Sequence, residues 1–499
     1  MARIAVIGSG MGAMAAAARL AVAGHRVTVF ERSETYGGAV GSVQRDGFVF
    51  DTGPGLLHLP AVWRDLFVKT GKEPLEQCVD LVQTDPASRH LFADGTDVSL
   101  PNASRAGIVS ALEGALGSGA GERWGAFLGR AREAWDRSRR PLLEEPLRSD
   151  RQSLERDPYP AVRQRRLLRS RQAGTVAEVG AWELGDARLA ALFDAYALSY
   201  GLDPRSAPAG AALLPYMEQT FGSWYVTGGL RELARAVYER CVARRVEFVF
   251  GAEVASIVER DGRAAGITLA DGTVAEADWV VAGVENARDL FDRPLQQDDG
   301  MSAQPVNPSA TVQPGRFTVL LALRRARSST AHRTVVHSPD TQAEAAAVFS
   351  GRAAEHPTVT VLRPDDPLTR PDAEHEAITV SATVARQGER LDWSDKALRE
   401  RYAELLIDTA GRATGGAREL RERLLWHEVL TPVETGALTA PALAGAQGRW
   451  LHPGNSTLLP GLLLVGGHAH PGGGLAHAGM SGALVAGLIV EGADFRGSQ

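Results

Sequence analysis

The first hydrophobic run of the chain, Ile4-Ala5-Val6-Ile7, is apolar throughout and stops at a glycine. A short run without polar alternation suits a central parallel strand, covered on both faces. Gly8-Ser9-Gly10-Met11-Gly12-Ala13 comes next, and the Ala-rich stretch 14–23 predicts a helix ended by Gly24. Arg26-Val27-Thr28-Val29-Phe30 predicts a second strand, with Glu31 at its end. Strand, helix and strand within about 30 residues make the smallest dinucleotide-binding unit.

The pattern changes repeatedly further on. Residues 132–172, dense in Arg, Glu and Pro, predict surface helices, and 186–199 predicts an amphipathic helix before a Pro/Ala/Gly break at 204–212. From Val246 the period becomes two. Strands are expected at 246–250, 256–259 and 265–269, with hairpin turns at Asp261-Gly262 and Asp271-Gly272. Trp279-Val280-Val281-Ala282-Gly283 again reads as a buried strand. Residues 300–315 read as a loop and 396–413 as a helix. A last strand, Leu462-Leu463-Leu464-Val465, runs into a glycine cluster and a final helix near 482–490. No internal repeat is evident.

The glycine turn carries the chemistry. Gly8 lets the chain turn off the strand, Gly10 lets backbone approach a pyrophosphate, and the small Ala13 lets helix and strand pack closely. The helix N-terminus stabilises phosphate charge. Glu31 lies at the distance of an acid that bonds a ribose hydroxyl, and a carboxylate there repels a 2′-phosphate. The segment after Glu31 separates FAD from NAD. Arg32 leads to a second glycine pair, Gly37-Gly38, and then to Gly47-Phe48-Val49-Phe50-Asp51-Thr52-Gly53-Pro54. A second close backbone approach suits the longer flavin cofactor. The glycine string 117–121 has no strand before it and reads as a loop.

Residues 4–55 resemble the flavin-binding start of the bacterial-type phytoene desaturase family, within the amine-oxidase-like flavoproteins. Residues 461–475, from Gly461 through His470-Pro471-Gly472-Gly473-Gly474 to Leu475, are similar to that family's C-terminal signature. Residues 221–230 resemble its return to the flavin domain, and 332–357 its middle region. The chain departs from the family at Ala39, where Arg or Lys is common, at His468, at Gly473, and at Val284-Glu285-Asn286-Ala287. The resemblance implies an α/β fold, in which a Rossmann-like FAD-binding domain (1–79, 225–289, 446–499) is interleaved with a substrate domain of mixed sheet and helices (80–224, 290–445). Candidate cofactor contacts are Gly8, Gly10, Gly12, Ala13, Glu31 and Arg32, then Gly38, Ala39, Gly53 and Pro54, then Val254, and finally Gly466, Gly467, Gly474 and Leu475. His470 matches the family's His-Pro-Gly step. It is the candidate catalytic residue, as a proton acceptor at the flavin edge; the alternative is a structural histidine bonded to backbone.

Composition narrows the setting. The 499 residues carry 54 basic and 60 acidic side chains, a net charge of −6, which argues against bulk binding of nucleic acid. Two cysteines make no disulfide framework and point to a reducing, cytoplasmic compartment. No apolar run approaches the ~18–20 residues of a membrane span, and the start reads as a strand, not a signal peptide. The Arg-rich run 163–171 reads as a solvated helix face or as peripheral contact with anionic lipid. His468, His470 and His477 lack metal-ligand spacing, so no metal is expected. The resemblance implies dehydrogenation of a hydrophobic isoprenoid or carotenoid-like substrate by hydride transfer to the flavin. An amine or secondary-metabolite oxidase, and a flavoprotein isomerase or partner protein without net redox turnover, remain as alternatives.

Overall fold

Five parallel strands form the sheet that the first residues begin. Across it the order is Glu247–Val249, Arg26–Phe30, Arg3–Ile7, Trp279–Ala282 and Leu462–Leu464. In chain order this is 3-2-1-4-5, the arrangement of a dinucleotide-binding sheet. The computed structural model describes residues 1–148, 152–166, 169–285, 287–290, 313–324 and 331–497.

Both faces of the sheet are covered, which is why the first run has no polar position. Ile4 and Val6 pack among residues of helices Met11–Val22, Leu230–Ala243 and Leu475–Val490. Ala5 and Ile7 pack on the other face with Ile257 and Ile267. Those two belong to an antiparallel meander of Val254–Arg260, Arg263–Leu269 and Val274–Glu276. Its first turn places Asp261 and Gly262 at positive φ, as the Asp-Gly pair predicts.

A second, seven-stranded sheet runs Leu424–Leu430, Pro314–Arg324, His375–Ala385, Val359–Leu362, Arg333–Val336, Ser88–Leu91 and Asp97–Leu100. Its pairings are antiparallel except that between Ser88–Leu91 and Arg333–Val336. One face is sealed: Phe317, Val319, Leu321 and Val380 pack against Leu406, Ile407 and Ala410 of helix Lys396–Thr414. On the opposite face Leu320, Ala322 and Ala377 meet Phe48 and Phe50, so this face looks toward the dinucleotide half. Helices Arg105–Leu116, Ala120–Arg139, Ala187–Ser199 and Leu213–Phe221 form a third layer around Trp124, Phe127 and Phe193.

Two elements differ from expectation. The segment read as surface helix up to 172 leaves the helix at Arg139, passes a wide turn at Arg140–Glu144, and ends in antiparallel strands Gln164–Arg166 and Arg169–Arg171. Proline at 146, 158 and 160 stops helix propagation, and Arg171 stacks 3.9 Å over the Trp182 ring. The final helix starts at Leu475, well before 482. Its early glycines serve close packing: a side chain on Gly479 would meet Val62 and Trp63, and one on Gly482 would meet Gly12 and Ala15. Of the loop expected at 300–315, only 313–315 lie within the described residues, and Asn286 also lies outside them.

Candidate active site

Gly8 ends the first strand with φ +87° and donates its N–H to the Phe30 carbonyl at 2.8 Å. A Cβ there would crowd the Gly283 carbonyl at 3.1 Å, so both conformation and space demand glycine. Gly10 is different. Its backbone is extended, a conformation open to any residue, and a Cβ on it would meet no protein atom within 4 Å. The protein's own packing therefore does not explain this glycine; a group approaching from outside does. The helix behind it, Met11–Val22, has no side-chain cap and no acid in its first turn. Its amides are open to an anion.

Glu31 closes the other side of the turn. Its carboxylate accepts from Ser9 (N–H 2.7 Å, Oγ–H 2.8 Å) and from Ser33 (N–H and Oγ–H, both 2.9 Å). Burial works against its charge, but these four bonds outweigh it and hold the carboxyl below its usual range. The strand-end segment from Val249 to Ala252 is hydrogen-bonded to the Glu31 backbone at 2.9 Å on both sides. That pairing brings half-buried Val254 to the same edge.

The second glycine pair folds back onto the first. Gly37 donates to the Ser9 carbonyl at 2.9 Å, and a Cβ on Gly38 would lie 3.0 Å from the Gly10 Cα. Gly53 stacks on the Ala39 carbonyl with no room for a side chain. Ala39 and Arg32 are exposed at the rim, and Pro54 is half-buried. The cation of this loop comes from elsewhere: Arg231 bonds the Val40 carbonyl at 3.1 Å and stacks 4.1 Å from the Tyr36 ring centre. Gly12 does not face the mouth as a bare surface. A Cβ there would strike the Ala478 carbonyl at 2.8 Å and the Gly466 Cα at 2.9 Å, where the first and last helices cross. Ala13 is buried 3.1 Å from where a Cβ of Gly283 would sit, consistent with close helix–strand packing.

The C-terminal signature supplies a second open helix start. Gly466 has φ +94° and a Cβ there would meet nothing within 4 Å; Gly467 lies beside it, half-buried. Gly474, exposed, leads helix Leu475–Val490, again with no side-chain cap and no acid in its first turn. Half-buried Leu475 is its first residue. His470 is fully buried. Its Nε2 donates to the Glu145 carbonyl at 3.0 Å, its N–H to the Pro453 carbonyl at 2.7 Å, and its carbonyl accepts from Asn455 Nδ2 at 2.8 Å. This is the geometry of a histidine that fixes backbone.

These groups fit FAD. Two uncapped helix starts, glycines whose small size only an outside group explains, and a hydrogen-bonded carboxylate at the strand end match the phosphates, backbone approach and ribose of such a cofactor.

Above this cradle lies a group that spacing along the chain did not bring together. His58, Tyr200, Arg316, Arg333 and His477 each keep some accessible surface, yet burial is the leading influence on all five. Each is therefore largely enclosed by protein without being sealed off. Two of them border the C-terminal glycines: the Tyr200 ring is 3.8 Å, and His477 Nδ1 3.2 Å, from where a Gly474 side chain would begin. Burial lowers His477 to about 4, so it is neutral at pH 7. His477 also borders an apolar hollow with Trp135, Leu142, Leu213, Leu214 and Met217. Glu218 anchors the group. Burial opposes its charge, but Arg333 and His58 bring its carboxyl down to about 2. Arg333 Nη1 donates to it at 2.9 Å, Tyr196 Oη at 2.9 Å, and His58 Nε2 lies 3.5 Å away. No sequence motif joins these residues; helices packed over the seven-stranded sheet do.

The family model described as flavin containing amine oxidoreductase matches residues 14–490. The chain is 29% identical over 509 residues to a 4,4'-diapolycopene oxygenase of a Methylomonas species, covering 98% of each. It is 28% identical over 505 residues to a hydroxyneurosporene desaturase of Cereibacter sphaeroides, covering 98% of this chain and 97% of that one. Among solved structures, an oxidoreductase from Methanosarcina mazei superposes with a TM-score of 0.66 at 16% identity, over 97% of this chain and 99% of that one. Putrescine oxidase bound to putrescine does so with 0.60 at 14% identity, over 98% and 99%. The chain belongs to the flavin-containing amine oxidoreductase family and is an FAD-dependent oxidoreductase.

Proposed function

We propose that this enzyme dehydrogenates a hydrophobic isoprenoid chain of the carotenoid type. The observation that carries the reading is the mainly apolar hollow of Trp135, Leu142, Leu213, Leu214 and Met217, bordered by His477, whose Nδ1 lies 3.2 Å from where a Gly474 side chain would begin. A polyene has few polar handles, so burial of apolar surface must hold it, at about 25 cal/mol per Å². The names of the relatives, carotenoid desaturases and an oxygenase, support the same substrate class.

When bound, FAD supplies the hydride acceptor. The chain's own residues do the rest. The open amides behind Gly10 and the Glu31 carboxylate hold the cofactor's polar half. The helix layer around Trp124 and Phe193 excludes water. His470 locks the glycine loop to Pro453, Asn455 and Glu145, and we assign it that positioning role. Among the described residues no helix is long and apolar enough to cross a membrane. We include peripheral contact with anionic lipid, through the paired strands Gln164–Arg166 and Arg169–Arg171, as the route of substrate entry; residues 167–168 lie outside the described residues.

The test is anaerobic mixing of the FAD-loaded protein with an acyclic polyene in vesicles, and separately with putrescine. We expect the polyene to bleach the flavin absorbance, faster from anionic than from neutral vesicles. Bleaching by the amine alone would overturn the substrate class. Equal rates from both vesicle types would remove the lipid contact.

A further inference from the structure

Two deep arginines share the face of the seven-stranded sheet that looks toward the dinucleotide half. Arg333 is neutralised by Glu218. Arg316, on strand Pro314–Arg324, is not: among the described residues its guanidinium has no ion pair, no hydrogen bond and no ring stacked on it. Its backbone pairs with Thr383 in the sheet, and its carbonyl accepts from Thr435. Burial pulls its pKa down, with Tyr200 the one group opposing that. A guanidinium largely enclosed by protein, still partly accessible and without a partner among the described residues, is suited to pairing with a ligand.

The position of Arg316 is functional. Its neighbours Pro314 and Gly315 bond the strap at 437–438: Leu438 donates to the Pro314 carbonyl at 2.9 Å, and Gly315 bridges to Ala437. The next residue, Thr439, presses its carbonyl onto Gly473 in the cofactor loop. Tyr200, whose hydroxyl makes no hydrogen bond among the described residues, is coupled electrostatically to Arg316; its ring lies 3.8 Å from where a Gly474 side chain would begin, and a Cβ on the next residue, Gly201, would lie 3.1 Å from Pro314 Cγ. Burial raises Tyr200 to about 12, so it stays a neutral donor. Two donors that no described residue uses, one of them cationic, thus lie together, and Tyr200 borders Gly474.

We propose that Arg316, with Tyr200, binds an oxygen function at one end of the isoprenoid substrate, a carboxylate most tightly. This rests on the isoprenoid reading above and sharpens it. The preferred substrate is an oxygenated polyene, held by its polar end beside the flavin, rather than a plain hydrocarbon. Arg suits the role because its planar fork meets a carboxylate with two parallel bonds.

The experiment uses the FAD-loaded enzyme and two acyclic polyenes of equal length, one ending in methyl and one in carboxylate. Affinity is read from the perturbed flavin spectrum without oxygen. The wild type should bind the acid at least tenfold more tightly. R316Q should lose that preference, keep its hydrocarbon affinity within twofold, keep its FAD content and spectrum, and melt no lower than the wild type. R316K should retain part of the preference, and Y200F should lose a few-fold. Equal affinities in the wild type would overturn the proposal without any variant. So would an R316Q protein that weakens for both polyenes alike or changes its flavin spectrum, since Arg316 would then serve the flavin. If neither polyene binds while an amine bleaches the flavin, the isoprenoid reading itself falls; if the hydrocarbon bleaches without any preference, only the present proposal does.

Discussion

Helices Met11–Val22 and Leu230–Ala243 lie in the same layer, touch where Cys241 Sγ–H meets the Met14 carbonyl at 3.3 Å, and each begin after a glycine. Their N-termini have opposite fates. Asp51 fills the second: its carboxylate accepts from Leu230 N–H at 2.8 Å and Arg231 N–H at 3.2 Å, and a Cβ on Gly229 would collide with it at 2.8 Å. Among the described residues no side chain caps the first. The helix dipole and the orphan amides are the same in both. A glycine before a helix is therefore not a site in itself. It becomes one where the chain withholds its own carboxylate and leaves space that no packing requirement accounts for.

Substituting the two glycines breaks the comparison most sharply. G10V should abolish FAD retention, because a branched side chain occupies the space before the open amides, and the purified protein should be colourless but folded. G229A should do the reverse. It displaces Asp51 and strains a residue at φ +96°, so it should lower the melting temperature while the folded fraction keeps one FAD per chain. Absorbance at the flavin band against protein content, together with a thermal melt, reads both. Normal flavin content in G10V would refute the site.

Glu31 tests the polar partner of the open terminus. E31A removes a charged acceptor worth about 1.5–3 kcal/mol, which is about 10–100-fold in the FAD dissociation constant. Isothermal titration of stripped protein measures it. FMN, which lacks the adenosine, should bind the wild type no better than it binds E31A; equally tight FMN and FAD binding by the wild type would remove Glu31 from the ribose.

Much of this half was legible along the chain, because its determinants are local. Gly8, Gly10 and Glu31 lie within one strand–helix–strand unit, and the unbroken apolar runs 4–7 and 279–282 reflect a sheet covered on both faces. The half built on the seven-stranded sheet was not legible. Glu218 and Arg333 are 115 residues apart and meet only because the helix Leu213–Phe221 packs over a sheet whose register is set elsewhere. Arg316 stands in a mostly apolar strand, and nothing in that pattern says which face it takes. The Arg-rich run 163–171 misled for a related reason. Arginine has good helix propensity, and the cross-strand pairing of Gln164 with Arg171 that decides for paired strands is invisible to composition.

The smallest effect expected concerns the filled terminus and its proton. Burial raises Asp51 from the ordinary 3.8 to about 6, against the two amide bonds that lower it, with Glu232 adding to the rise. The folded state therefore holds this proton more tightly than the unfolded chain. The stabilisation from that proton is complete below about pH 4, is lost as pH rises through about 6, and stays lost above. The slope from one such group is at most about 1.4 kcal/mol per pH unit. D51N cannot ionise but keeps an oxygen to accept from the Leu230 amide. Urea unfolding of both proteins at pH 4.5, 5.5 and 7 should show the wild type losing its advantage over D51N step by step. Other buried acids such as Asp157, Asp194 and Glu344, also raised by burial, are common to both proteins and cancel in the difference. A difference independent of pH would mean that Asp51 is ionised throughout. The second helix would then be capped by a full charge, and the contrast with the open terminus at Gly10 would be one of occupancy alone, with no cost of burial to explain why the chain fills one helix start and leaves the other to its cofactor.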